Sequence, residues 1–181
     1  SANSTGNGGS GSYGGGIYNP FGSVTLTSCT ISGNSTVSGG GGIYNGNSGG
    51  PVVRLRNSLV ALNTSPSGPD GFGALTTDNF NLIGNNAGAT ITPAQSSDQI
   101  GTAAEPINPL LGPLLNNGGP TSTRALLAGS PAIDKGHSSN SNTDQRGSTR
   151  PIDQPGIPNP IDGDGGFRSA GNTAAYRGKA I

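Results

Sequence analysis

Residues 14–19 read GGGIYN, and residues 40–45 read GGGIYN again. Both copies run through a short turn into alternating sequence: GGGIYNPFGSVTLTSCTISGNST and GGGIYNGNSGGPVVRLRNSLVALNTS. In the first, Val24, Leu26, Cys29 and Ile31 are apolar, with Thr25, Thr27 and Thr30 between them. In the second, Val53, Leu55, Leu59 and Ala61 take that part, and Arg54 and Arg56 are expected to face out. Alternation at period two with β-branched residues reads as strand. FNLIGNN, ending at Asn85 and Asn86, reads as a weaker third copy.

A strand-and-turn unit that returns at a fixed interval points to stacked units sharing one core. Strands stacked at sheet spacing place each position directly above its equivalent. The repeat therefore predicts Ile17 over Ile43 inside, Tyr18 over Tyr44, and Asn19 over Asn45. It also puts Asn34 and Asn63 in equivalent turns. Stacked Asn side chains hydrogen-bond along the axis, and stacked aromatics shield the edge. Gly is needed where φ is positive and where backbones approach closely. The expected architecture is an all-β parallel β-helix of about three coils over residues 1–86. SANST at 1–5 resembles SGNST at 32–36, so the chain is read as starting in mid-coil.

Composition fits a thin core. The chain has 34 Gly and 14 Pro in 181 residues, 29% hydrophobic residues and no Trp. Net charge is zero and only 10% of residues are charged, which argues against a charge-swollen disordered chain. Neutrality gives no reason to expect nucleic acid as a partner. No apolar run reaches the length of a membrane-spanning helix, so no membrane insertion is expected. The single Cys29 excludes an intrachain disulfide and reads as a small inward-facing hydrophobe. The absence of Met suggests a processed product or a piece of a longer chain.

Residues 87–105 are small and polar and read as a linker or long loop. From residue 106 to 181 the texture changes. Leu110, Leu111, Leu114, Leu115, Leu126 and Leu127 form apolar pairs broken by Pro109, Pro113, Pro120 and Pro131. The prolines forbid a long helix, leaving short strands and turns, with one helical turn expected at 123–128. An exposed solenoid end needs covering, so this part reads as a C-terminal cap.

GGGIYN…VTLTSCTISGNST…GGGIYN resembles the right-handed parallel β-helix repeats of bacterial secreted and surface proteins, including polymorphic outer-membrane-protein-like repeats. NPLLGPLLNNGGPTSTRALLAGSPAIDKG, followed by TDQRGSTRP, is similar to the choice-of-anchor Q domain that follows such repeats. The resemblance covers residues 14–86 and 106–152. It implies a right-handed coil and an extracellular or cell-surface location.

Candidate chemistry is sparse. His137 is the only His and lies among small polar residues, read as an exposed loop with no orienting partner. Asp134, Asp144 and Arg146 invite a carboxylate-pair reading for polysaccharide cleavage, but buried Asp–Arg pairing is preferred. Residues 14–63 contain no Asp or Glu, so the repeats supply no acids. Asp162 and Asp164 carry a faint calcium-loop pattern without the closing Glu. Asn3, Asn34 and Asn63 begin N-x-S/T strings and read as turn residues. No catalytic, cofactor or metal residues are assigned. The expected function is a non-enzymatic extracellular structural protein. Its subunits would stack head to tail into a rod or fibre with an adhesive or matrix role, in possible contact with extracellular polysaccharide. The alternatives are a carbohydrate-active β-helix enzyme and a monomeric glycan-binding module.

Overall fold

The computed structural model describes residues 4–5, 11–46, 52–138, 141–160 and 162–163. Among the described residues every regular element is a strand, fourteen in all, and none is a helix. The chain divides into two compact units, Ser1–Asn108 and Pro109–Ile181.

The first unit is built from parallel pairs. β1 (Ser4–Thr5) pairs with β5 (Ser35–Thr36). β2 (Ile17–Asn19), β3 (Val24–Thr27) and β4 (Thr30–Ser32) form one level. They pair with β6 (Ile43–Asn45), β7 (Val53–Arg56) and β8 (Leu59–Ala61) respectively. β9 (Gly71–Thr77) spans two positions of the next level: its first half pairs with β6 and its second half with β7. β10 (Leu82–Ile83) pairs with β8. A fourth level follows, with β11 (Ala89–Ile91) on β9 and β12 (Gln99–Ile100) on β10. The pairing register sets Ile17 against Ile43, Tyr18 against Tyr44 and Asn19 against Asn45.

Alternation decides which side chains form the core. In β7, Val53 and Leu55 are buried and Arg54 and Arg56 exposed. Ile31, Ile43, Val53, Leu55, Val60, Leu75 and Ile83 form the buried cluster, with Ile17, Val24, Leu26, Ala89 and Ile91 half-buried around it. Residues of the middle levels are covered on both sides along the stack, whereas those of the outer levels are covered on one. Burying one such Leu or Ile contributes about 2 kcal/mol.

Three local expectations are revised. The stretch 87–105 is more than a loop: β11 and β12 lie within it and extend the sheets of the first unit. Cys29 lies between strands rather than on one and is half-exposed. Ser28 takes a left-handed φ of 53° and breaks the alternation there. The helical turn expected at 123–128 is instead β14 (Thr123–Leu126), antiparallel to β13 (Leu111–Leu115) in the second unit. Pairing of Leu111 with Leu126 and of Leu115 with Thr123 gives the backbone partners that a single helical turn would lack. Asn117 closes the hairpin, its Nδ2 donating to Thr123 O at 2.7 Å.

Candidate functional site

The corners of the first unit decide where polar side chains go. Ser28 and Asn57 both take left-handed φ, 53° and 49°, and the Asn57 Nδ2 donates to Ser28 Oγ at 2.9 Å. At each corner the following N–H points inward, where burial requires an acceptor. The next level supplies it from a side chain. Cys29 N–H donates to Ser58 Oγ at 3.2 Å, and Ser58 N–H to Asn81 Oδ1 at 3.0 Å. Asn81 donates from both N–H and Nδ2 to Asp98 Oδ1, at 3.0 and 2.9 Å. The second oxygen of Asp98 accepts Gln95 N–H at 3.0 Å.

A second column repeats this logic in a more buried setting. Asn34 donates from N–H and Nδ2 to Asn63 Oδ1, at 3.0 and 2.9 Å. Asn63 donates in the same way to Asp70 Oδ1, at 3.0 and 2.9 Å, and its Nδ2 also reaches Ile31 O at 3.0 Å. Asp70 Oδ2 accepts Asn85 N–H at 2.8 Å. Asn34, Asn63 and Asp70 are all buried. A third column starts at Asn19, whose Nδ2 donates to Asn45 Oδ1 at 3.0 Å. Asn45 then donates to Ala74 O at 2.7 Å, because Gly73 stands where a third Asn would be.

Along each column the bonds between successive members run from a donor on the earlier level to an acceptor on the later one, while Asn57, Asn63 and Asn81 also donate back from Nδ2 to Ser28 Oγ, Ile31 O and Leu55 O of the level before. Burial raises the pKa of Asp70, and the bonds from Asn63 and Asn85 offset only part of that.

Outside, Tyr18, Tyr44 and Phe72 stack along the same direction. Their ring centroids are 5.4 and 5.1 Å apart, and Tyr13 packs on Tyr44 at 4.5 Å. On the other exposed face Thr25, Arg54 and Thr76 stand in register, as do Thr27 and Arg56. Arg54 pairs with Asp78 at 2.7 Å, but both are solvent-exposed, so the pair contributes little.

The titratable groups of the second unit hold loops together. Asp144 bonds Arg146 at 2.7 Å, with side chains 7% and 11% exposed. It also accepts the N–H groups of Arg146 and Ser148, both at 2.9 Å. Burial alone would raise the Asp144 pKa, but the Arg146 and Ser148 bonds bring it below the ordinary value. Asp134 is not part of that pair: its Oδ2 accepts Gln154 N–H at 2.8 Å. Burial raises its pKa. His137 is half-buried rather than exposed. Among the described residues no three His, Cys, Asp or Glu side chains gather as a metal site, and no helix is long and apolar enough to cross a membrane. Asp164 and Asn3 lie outside the described residues.

Sequence reasoning named Asn34, Asn63, Asn19 and Asn45 but missed Ser58, Asn81, Asp70 and Asp98. The missed signal was the degenerate string GPDGFG at 68–73, which the register aligns with GGGIYN at 40–45. No family model matches the chain, and neither does any curated protein or solved structure.

Proposed function

We propose that the first unit is a right-handed parallel β-helix and that the chain serves as a non-enzymatic, rigid segment of an extracellular or cell-surface protein. The resemblance of its sequence to the repeats, and to the choice-of-anchor Q domain, of bacterial extracellular proteins supports that reading. The observation that carries the reading is the in-register pairing of identical residues, Ile17 on Ile43, Tyr18 on Tyr44 and Asn19 on Asn45. A corner repeated in this way makes each level a copy of the last, and a stack of copies is a rod. The polar side chains inside are committed to holding levels together, each already hydrogen-bonded to backbone or to another column member. Two carboxylates of the second unit are likewise engaged, Asp144 with Arg146 and Asp134 with Gln154.

The test is a panel of neutral and acidic polysaccharides assayed for new reducing ends and for unsaturated products. No turnover is expected from the intact chain. Turnover that Asp144→Asn abolishes, with the fold intact by circular dichroism, would overturn the reading in favour of a carbohydrate-active enzyme.

A further inference from the structure

We propose that Pro69, Asp70 and Asp98 are stop residues: Pro69 and Asp70 end the glycine corner and its Asn column at the third level, Asp98 ends the second column at the fourth, and further coils of the same kind can be added to this stack only on the side of β2, β3 and β4. The inference rests on the coil reading above.

Two independent features carry it. The first is hydrogen-bond polarity. Each column passes its bond from a donor on one level to an acceptor on the next. Asn continues a column because its amide accepts from one neighbour and donates to the other. A carboxylate accepts only, and Asp70 and Asp98 occupy the last positions of their columns. Both oxygens of each already hold N–H donors. A further level whose Asn presented its Oδ1 here would set acceptor against acceptor.

The second feature is steric. A Cβ on Gly15 would lie 2.4 Å from Gly41 O, and one on Gly41 would lie 2.5 Å from Pro69 O. A Cβ on Gly16 would lie 2.6 Å from Gly42 O, and one on Gly42 would lie 2.5 Å from Asp70 O. These glycines leave room for the carbonyls of the following level. The third level has Pro69 and Asp70 at the same positions. Their side chains fill the space that an identical fourth corner would need. Opposite Asp70, Gly84 makes the complementary concession: a Cβ there would meet Asp70 Oδ2 at 2.7 Å. The chain after β12 also departs from the repeat, since Ile107 N–H donates back to Gly84 O at 2.8 Å. The head-to-tail joint between copies therefore has no ladder to continue at this end.

The test uses coil insertion. In one chain residues 40–67 are duplicated in tandem, so that the new coil lies upstream of the stops. In a second chain the same segment is inserted after Gly101, beyond Asp98. A third carries that second insertion with Asp70→Asn and Asp98→Asn, and a fourth adds Pro69→Gly to the third. Segment-resolved hydrogen–deuterium exchange reads the inserted strands and, separately, residues 53–61 of the parent. The tandem copy is expected to be protected about 100-fold over unstructured peptide, and the insert beyond Asp98 to exchange within about threefold of it. Protection is expected to rise at least about tenfold in the fourth chain. Failure of the tandem copy to be protected would remove the coil reading itself. Protection of both insertions alike, or no gain in the fourth chain, would overturn the stop while leaving the coil intact.

Discussion

At the scale of single residues, a column member holds its neighbours on two levels. Asn63 accepts from Asn34 and donates to Asp70 and Ile31. Asn63→Ala is expected to cost about 3 kcal/mol, because it leaves buried donors and acceptors on both neighbours. Urea denaturation of the variant checks this, and a loss below about 1 kcal/mol would count against a buried column. The two shifted carboxylates give opposite pH responses. Asp70 has a raised folded pKa, so its contribution is fully present below the ordinary Asp value and is lost as pH rises through the raised one. Asp144 has a lowered folded pKa, so its contribution is present above the ordinary value and is lost as pH falls through the lowered one. Stability relative to Asp70→Asn should thus rise on acidification, while stability relative to Asp144→Asn should fall. Denaturation series between about pH 3 and pH 8, read by hydrogen exchange in each unit, would show the two slopes.

At the scale of the element, the corner explains both what was legible and what was not. The hexapeptide GGGIYN announced itself because it is unchanged between its first two copies, and Gly14 and Gly40 take the same left-handed φ, 70° and 68°. Gly68 takes φ 64° at the third corner, but only that glycine and an aromatic at 72 survive there. The third level is followed by β11 and β12 rather than by another copy of the hexapeptide, and with four of its six positions changed in kind pattern matching loses it. The β11 and β12 strands were illegible for a related reason: they are two or three residues long and half-buried, too short for alternation to register. In the second unit, the apolar pairs at 110–115 and 126–127 gave strands, while the hairpin partner of Leu111 depended on a long-range pairing that local propensity does not encode. Close approach at the corners predicts a contrast between two glycines. Gly41→Ala puts a methyl 2.5 Å from Pro69 O and 2.6 Å from Thr64 O, both backbone, and is expected to cost about 3 kcal/mol or more. Gly22→Ala meets nothing within 4 Å, so only its left-handed φ of 88° opposes it, at about 1 kcal/mol. Thermal melts of the two variants would measure the difference.

At the scale of the whole molecule, the first unit is held by strand edges, a thin apolar cluster and three polar columns, each of which links residues far apart in sequence. Order is therefore expected to be cooperative between neighbouring levels, since each level contacts only the ones next to it. The proposed role requires parallel, in-register stacking of β3 on β7, and this can be tested covalently. Thr25 and Arg54 face outward at paired positions, so cysteines there fall within the reach of a disulfide. In a Cys29→Ala background, Thr25→Cys with Arg54→Cys is expected to oxidise to an intramolecular disulfide and to raise the melting temperature. Thr27→Cys with Arg54→Cys, which parallel register holds apart, is expected to stay reduced under the same conditions. Efficient closure of the 27–54 pair in place of the 25–54 pair would contradict the stacked parallel fold.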